Sequence, residues 1–154
     1  MRSSPLSTPG EFLPAWNSPP IGRQFVLDLY DCQAPEIDDL EWVRRTMLRA
    51  AEVANATIVC DAFHRFSPYG ISGVVVIAES HIAVHTWPEH GYAAIDMFSC
   101  SSPLRLDAAA DYLTEAFLSL RPEKTFLERG VRIAAGPTNR PPSAVPSPAL
   151  RGEA

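Results

Sequence analysis

Residues 79–100 read ESHIAVHTWPEHGYAAIDMFSC and concentrate the side chains of this chain that could do chemistry. Three histidines, a cysteine and several carboxylates fall in a segment whose alternating apolar residues are typical of a strand, a turn and a second strand. Each buried ionisable group needs a partner, so a hairpin that only filled a core would not carry so many of them. This density predicts a functional site in residues 79–100.

Two of these histidines, His81 and His85, stand four residues apart. On a helix that spacing would bring both imidazoles to one metal ion. The segment has the pattern of a strand, however, and at about 3.3 Å per residue the two rings lie on one face but roughly 13 Å apart. No metal site is therefore predicted.

Single residues of this set have ordinary structural explanations. A lone histidine is more often a hydrogen-bonded, partly buried side chain than a catalyst, and a lone cysteine is more often a small buried hydrophobe. The clustering favours a site, which we expect to be built from Ser80, His85, Glu89 and Cys100. These residue types alone do not specify a reaction, and no G-x-S-x-G elbow points to a hydrolase. They also leave open the roles of His64, His81 and His90.

The chain has 154 residues, of which 46% are hydrophobic and 20% charged, and this fits one compact domain with a sizeable core. Eighteen acidic against thirteen basic residues give a net charge of -5, and no basic cluster stands out, so nucleic acid is not an expected partner. No apolar stretch approaches the length needed to span a membrane. Three widely spaced cysteines without a C-x-x-C pair indicate free thiols and a reducing, cytoplasmic location.

Hydrophobic periodicity predicts strands and two amphipathic helices in the order β-α-β-β-β-β-α-β. The predicted segments are 23–32, 35–54, 56–66, 71–79, 81–87, 92–99, 102–121 and 124–134. Short turns that contain proline and glycine link the middle strands as hairpins. This pattern predicts an α+β fold, a two-layer α/β sandwich with a mainly antiparallel sheet and two helices on one face.

Proline is dense at both ends of the chain, in residues 1–22 and 135–154. Such segments have too little apolar content to order themselves, and residues 1–22 also lack the continuous apolar core of a signal peptide. We expect flexible tails at both ends. A single domain is predicted over residues 23–134.

Residues 22–32, GRQFVLDLYDC, and residues 63–100, which begin FHRFSPYGISGVVV, carry a resemblance to a known family. They resemble the short prokaryotic S-adenosylmethionine decarboxylase proenzymes, most specifically in the motif E-S-H-x-x-x-H-T-W-P-E that starts at Glu79. The resemblance is strong over residues 22–100 and weaker beyond them, and both proline-rich ends lie outside it. It implies a pyruvoyl-dependent carboxy-lyase.

The resemblance implies that the chain cuts itself between Glu79 and Ser80. The Ser80 hydroxyl would attack the Glu79 carbonyl carbon and form an ester. Elimination from that ester would leave a β chain, residues 1–79, and an α chain, residues 80–154, which begins with a pyruvoyl group. Ser80 would thus become the covalent cofactor, and no metal would be needed.

By similarity, Ser72 is the hydroxyl donor in this processing reaction and His85 is the proton acceptor. Strand alternation raises a difficulty, because Ser80 and His85 have opposite parity and would face opposite sides of an ideal strand. We therefore predict a bend or bulge at Glu79-Ser80 that lets both side chains reach one site.

The resemblance also implies the roles of the remaining site residues. The pyruvoyl group would form a Schiff base with the amine of S-adenosylmethionine, and Cys100 would return a proton to the substrate after carbon dioxide leaves. Phe66 and His85 match the positions that sandwich the adenine, and Glu89 matches the carboxylate that holds the ribose hydroxyls. We add Trp87 as a ring that could face the sulfonium cation.

The small members of this family pair into homodimers of cleaved chains with active sites near the subunit interface, and the same is expected here. The implied product is the aminopropyl donor for spermidine synthesis. One alternative is a pyruvoyl-dependent decarboxylase of arginine or ornithine on the same fold. Another is a catalytically silent regulatory paralogue, although Ser80 and Cys100 are both present.

Overall fold

The computed structural model describes residues 20–100 and 104–131, and residues 20–130 form one compact unit. The strands are β1 Gly22–Cys32, β2 Ile58–Arg65, β3 Ile71–Ile77, β4 Ser80–Trp87, β5 Tyr92–Ser99 and β6 Ser119–Arg129. The helices are α1 Leu40–Val53 and α2 Leu106–Ala116, and short 3-10 turns span Pro35–Asp38 and Pro88–His90. The tails predicted at 1–22 and 135–154 lie outside the described residues except for 20–22, where Gly22 already begins β1.

All six strands join one sheet in the order β2-β3-β4-β5-β1-β6, and each neighbouring pair is antiparallel. Helix α1 packs on β2, β3 and β4, and helix α2 packs on β1 and β6. The predicted α+β two-layer sandwich is confirmed. Within the described residues, no helix has the length and apolar character needed to cross a membrane.

The core lies between the helices and one face of the sheet. Alternate residues of β1, such as Leu27 and Leu29, are fully buried there, and they pack with Met47 of α1 and Leu113 of α2. Burying a leucine side chain contributes about 1.5–3 kcal/mol, so this alternation fixes which face of each strand turns inward. The register of the sheet follows from that choice.

Both helices differ in extent from their predicted bounds. The helix predicted from residue 35 begins at Leu40, because Pro35–Asp38 forms a separate 3-10 turn and Asp39 caps α1 by accepting a hydrogen bond from Trp42 N at 2.7 Å. The helix predicted to reach residue 121 ends at Ala116, and β6 begins at Ser119. Pro122 therefore lies in a strand, which the sheet tolerates because β6 is an edge strand.

The second face of the sheet is covered by neither helix and carries the polar and aromatic residues. Along β4, Ile82, Val84 and Thr86 are buried in the core, whereas His85 and Trp87 alternate with them and are exposed on this face. We call this surface the open face. It holds most of the candidate site residues, and the sheet positions them.

Candidate active site

Ser72 and His85 form a direct contact on the open face. They are register partners on β3 and β4, and Ser72 Oγ lies 2.7 Å from His85 Nδ1. At that distance the hydroxyl and the imidazole share a hydrogen bond, in which the tautomer of the histidine decides which group donates. Both side chains reach solvent. This pair can accept or donate a proton to a group placed against the open face.

An aromatic row continues from His85 across the sheet. The ring centroids of His85 and Trp87 are 6.2 Å apart, those of Trp87 and Tyr92 are 5.3 Å apart, and Tyr92 stacks on Tyr30 at 5.0 Å. The Tyr92 hydroxyl donates a hydrogen bond to Asp28, and burial together with that carboxylate raises the pKa of Tyr92. Tyr92 therefore stays neutral and makes a fixed support for Trp87, which is 39% exposed and free to contact a ligand.

Glu89 lies in the 3-10 turn that follows Trp87. Together with Tyr69 and Pro88 it lines an open cleft of about 310 Å³. Gly91 closes the turn at φ 55°, a left-handed conformation that glycine adopts readily. The carboxylate of Glu89 is exposed, so it can accept hydrogen bonds from a polar ligand in this cleft.

Phe66 is 48% exposed at the start of the loop between β2 and β3, and its ring meets His64 edge to face at 4.7 Å. The two ends of this loop are tied to one carboxylate. Asp38 Oδ2 accepts a hydrogen bond from Arg65 Nη2 at 2.6 Å, and Asp38 Oδ1 accepts one from Gly70 N at 2.9 Å. Asp38 thereby fixes the loop that presents Phe66. Sequence reasoning missed this residue because its acidic neighbours suit the first turn of a helix.

Ser80 occupies the first position of β4 and has an unusual backbone conformation. Its φ is 150°, a region that residues with a side chain rarely adopt, and such conformations cost on the order of 1–3 kcal/mol. The ladders to β3 and β5 run without a register shift from Ser80 to the end of β4, so β4 contains no bulge, and the bend that was predicted as the other possibility falls on the tight turn at Ala78 and Glu79. The irregularity is confined to one residue, whose Oγ lies 3.1 Å from Nδ1 of His81.

The carbonyl of Glu79, which immediately precedes Ser80, is held by Cys100. The backbone N–H of Cys100 donates a hydrogen bond to Glu79 O at 3.0 Å. A donor aimed at a carbonyl oxygen draws electron density from the carbon and stabilises negative charge that develops on the oxygen during attack. The ladder between β4 and β5 thus delivers both Cys100 and an electrophilic carbonyl to the neighbourhood of Ser80.

The three cysteines differ in environment. Cys32 is buried, donates through its sulfur to Leu29 O at 3.4 Å, and has its pKa raised to about 11, chiefly by burial. Its thiol is therefore protonated and inert near neutral pH. Cys60 is exposed on edge strand β2, and Cys100 is exposed at the end of β5 beside Glu79. Of the three, Cys100 combines an accessible thiol with the Ser80 neighbourhood.

The predicted site residues fall into two groups. Ser80 and Cys100 lie where β4 begins and β5 ends, which we call the Ser80 end. Ser72, His85, Trp87 and Glu89 lie towards the other end of β4, which we call the His85 end. Ser80 and His85 are five positions apart in β4, which is about 16 Å along a regular strand. Sequence reasoning expected one cluster, and a single protomer holds two.

Neither group forms a metal site within the part of the chain that the structure describes. Among residues 20–100 and 104–131, no three His, Cys, Asp or Glu side chains are grouped so that they could hold a metal ion. The imidazoles of His85 and His81 instead contact the hydroxyls of Ser72 and Ser80, and His85 also lies beside the ring of Trp87.

A helix-backed antiparallel sheet with serine and histidine contacts on its open face and a strained serine beside a polarised carbonyl defines a small α+β enzyme domain. The model of the S-adenosylmethionine decarboxylase family matches residues 23–130. The chain belongs to the S-adenosylmethionine decarboxylase family. The resemblance read from the motifs is thereby confirmed.

Individual relatives agree with this assignment. The chain is 51% identical over 111 residues to the S-adenosylmethionine decarboxylase proenzyme of Pseudomonas aeruginosa, which covers 72% of this chain and 69% of that protein. It is 47% identical over 110 residues to the proenzyme of Acidithiobacillus ferrooxidans, covering 71% and 83% of the two chains. The crystal structure of the adenosylmethionine decarboxylase from Aquifex aeolicus is similar with a TM-score of 0.70 and 36% identity, over 80% of this chain and 100% of that one.

Proposed function

We propose that this chain is a self-processing S-adenosylmethionine decarboxylase, in which Ser80 becomes a pyruvoyl group and the product is the aminopropyl donor for spermidine synthesis. The observation that carries the proposal is the geometry of one peptide bond. Ser80 has a strained backbone at φ 150°, and the adjoining Glu79 carbonyl accepts a hydrogen bond from Cys100 N at 3.0 Å. No other peptide bond in the motif combines these two features within the described residues.

We expect self-cleavage to proceed from this geometry in three steps, which are ester formation, elimination and hydrolysis. Ser80 Oγ attacks the Glu79 carbonyl carbon, the Cys100 N–H stabilises the oxygen, and the C–N bond breaks to give an ester and a free amine. Removal of the Ser80 Cα proton then breaks the Cβ–O bond and frees residues 1–79 with a terminal carboxylate. Water replaces the nitrogen of the remaining residue, ammonia leaves, and residues 80–154 begin with pyruvoyl. Cleavage also releases the backbone strain at Ser80.

Substrate turnover uses the groups around the new terminus. When bound to the substrate amine, the pyruvoyl group supplies a sink for the electrons released as carbon dioxide leaves. The Cys100 thiol is exposed at the same end of β4 and donates the proton that the substrate Cα then needs. In this role Cys100 acts through its side chain, whereas in self-cleavage it acts through its backbone N–H.

The remaining site residues bind the nucleoside and the sulfonium. Phe66 and His85 offer flat π surfaces on the open face for the adenine, and the exposed carboxylate of Glu89 accepts hydrogen bonds from the ribose hydroxyls. Trp87, held by Tyr92, faces the sulfonium cation. We expect no metal to take part in either reaction.

A homodimer follows from the distance between the two groups. Ser80 and His85 are about 16 Å apart along β4, too far for His85 to take the Cα proton from Ser80 of its own chain. Two copies related by a two-fold axis, with their open faces in contact, would bring the Ser72–His85 pair of one chain to the Ser80 end of the other, where the Ser80 hydroxyl contacts His81, a residue on the same face of β4 as His85. Such packing would also cover the exposed aromatic row. We therefore propose a dimer of cleaved chains with two composite sites.

The alternatives raised by the sequence gain no support from the comparisons. The matching family model and the relatives named above concern S-adenosylmethionine, not arginine or ornithine. A silent regulatory paralogue would not need the polarised carbonyl beside Ser80. We propose a cytoplasmic location, with neither nucleic acid nor a membrane as a partner.

Intact mass spectrometry of the purified protein tests the proposal. We expect two fragments that meet between Glu79 and Ser80, the larger one beginning with pyruvoyl. Incubation with S-adenosylmethionine and cyanoborohydride should then add a substrate adduct to the larger fragment only, whereas arginine and ornithine in parallel samples should not. One uncleaved chain would contradict self-processing, and an adduct with arginine or ornithine alone would contradict the substrate.

A further inference from the structure

The side chain of Ser80 contacts a histidine that the resemblance does not assign. Ser80 Oγ lies 3.1 Å from Nδ1 of His81, the next residue along β4. The His81 ring stacks on Phe98, its register partner on β5, with centroids 6.2 Å apart and an interplanar angle of 19°. This stacking holds the imidazole in one orientation beside the hydroxyl. A fixed imidazole within hydrogen-bond reach of a nucleophile has the geometry of a general base.

We propose that His81 is the base that takes the hydroxyl proton of Ser80 in the first step of self-cleavage. This role rests on the proposed function and is distinct from that of His85. It requires the tautomer of His81 that carries its proton on Nε2, because Nδ1 then has a free lone pair towards Ser80 Oγ. His81 is a catalytic residue in this account, since it touches the attacking oxygen.

His81 alone accounts for the proton that moves in this step. As the Ser80 Oγ–H bond breaks, the proton moves to His81 Nδ1 and the oxygen forms a bond to the Glu79 carbonyl carbon. When the C–N bond of that peptide breaks, the leaving nitrogen takes the proton from Nδ1. The products are an ester of Glu79 on Ser80 Oγ and a free amine on Ser80. His81 ends the step neutral, and no other reactant is consumed.

His85 is poorly placed for this first step. His85 of the same chain lies about 16 Å along the strand from Ser80. The His85 that the proposed dimer would bring to Ser80 has its Nδ1 in contact with Ser72 Oγ at 2.7 Å, whereas Nδ1 of His81 contacts Ser80 Oγ directly. The two histidines thus divide the reaction. His81 accepts the hydroxyl proton of Ser80 in its own chain, which allows the ester to form. His85 then removes the Cα proton, which leads to elimination of the ester.

Two substitutions separate a base from a structural support. His81→Asn keeps a hydrogen-bond acceptor near the position of Nδ1 but cannot take a proton near neutral pH. His81→Phe keeps a ring to stack on Phe98 but has no acceptor. If His81 served only to orient the hydroxyl, the Asn variant would cleave normally. If it served only to pack, the Phe variant would. His90→Asn in the exposed turn is a matched histidine control.

The test follows cleavage of freshly synthesised chain by intact mass, with and without hydroxylamine, which cuts an ester and so reports the first step. We expect the wild type and His90→Asn to cleave, both His81 variants to cleave at least about 100-fold more slowly, and hydroxylamine to release no fragments from them. In His85→Ala, where the ester forms but is not eliminated, hydroxylamine should release residues 1–79. Melting temperatures of the uncleaved chains establish that the variants fold.

Two results would overturn the role of His81 while the proposed function stands. One is cleavage of folded His81→Asn or His81→Phe within a few-fold of the wild-type rate. The other is release of fragments by hydroxylamine from His81→Phe as readily as from His85→Ala, since the ester would then form without His81. A wild-type chain that never cleaves would overturn the proposed function itself and this role with it.

Discussion

The Ser80 end and the His85 end of strand β4 each place a serine hydroxyl against a histidine Nδ1. At the His85 end, Ser72 and His85 are partners across a regular ladder, 2.7 Å apart. At the Ser80 end, Ser80 and His81 are neighbours in sequence, 3.1 Å apart. The two contacts use the same chemical groups, so the contact alone cannot decide which serine reacts.

The backbone distinguishes the two ends. Ser72 lies inside a strand with ordinary register, whereas Ser80 has φ 150° and follows a carbonyl that accepts a hydrogen bond from Cys100 N. Strain raises the energy of the peptide before cleavage, and the N–H donor lowers the energy of the tetrahedral state. In the proposed mechanism they select one peptide bond for cleavage, and the Ser72–His85 pair serves as an acid–base group.

Substitution of each serine should have the largest effect on self-cleavage and should distinguish the two ends of β4. In Ser80→Ala the nucleophile is gone, and we expect a single uncleaved chain by intact mass however long the protein is kept. Ser72→Ala removes a donor and not the nucleophile, so we expect cleavage to slow by about 100-fold but to reach completion. Cleavage of Ser80→Ala between residues 79 and 80 would contradict the assignment of the nucleophile, and full-rate cleavage of Ser72→Ala would contradict the role of Ser72.

Substitution of the exposed cysteines tests whether the thiol of Cys100 acts in turnover at the Ser80 end. Cys100→Ala keeps the backbone N–H that holds Glu79 O but removes the proton donor, so we expect kcat per pyruvoyl group to fall by about 1,000-fold. Turnover should be measured as carbon dioxide release and divided by the cleaved fraction from intact mass. Cys60→Ala is the matched control, because Cys60 is also exposed but lies on edge strand β2. Equal losses in both variants would contradict the role of Cys100.

Substitution of Glu89 at the His85 end should change substrate affinity, and this is the smallest effect that we predict. Glu89→Gln replaces a charged acceptor of the ribose hydroxyls by a neutral one, and a loss of about 2 kcal/mol corresponds to a roughly 30-fold rise in KM. We expect self-cleavage and kcat to change little, as measured by intact mass and steady-state kinetics. Glu52→Gln, on the exposed surface of α1, is the control. An unchanged KM in Glu89→Gln would remove Glu89 from the site.

Local pattern in the sequence predicts much of the fold. Strict alternation in β1 and the apolar stripe of α1 are set by burial against one core, and the structure follows both. The ends of the helices were less predictable. Apolar residues Phe117 and Leu120 continue a helical spacing, yet Leu118 turns the chain at φ 51° into β6, where pairing with β1 outweighs that spacing.

The site was predicted in its residue types more than in its arrangement. The density of reactive side chains in residues 79–100 drew attention to Ser80, His85 and Cys100 without any structure. Strand spacing, however, separates Ser80 from His85. The hydrogen bond from Cys100 N to Glu79 O joins two backbone groups, so the side chains in the sequence do not predict it. Asp38, which fixes the loop of Phe66, is distant in sequence and could be found only from the fold.

We infer that the Ser80 end of one chain and the His85 end of another act together. Co-expression of Ser80→Ala with a differently tagged His85→Ala, followed by intact mass, tests it most directly. Alone, neither chain should yield the processed fragments. Together, the His85→Ala chain should be cut into 1–79 and a pyruvoyl-bearing 80–154, because its Ser80 meets His85 of the other variant. Full processing of His85→Ala alone, or none in the mixture, would contradict the claim.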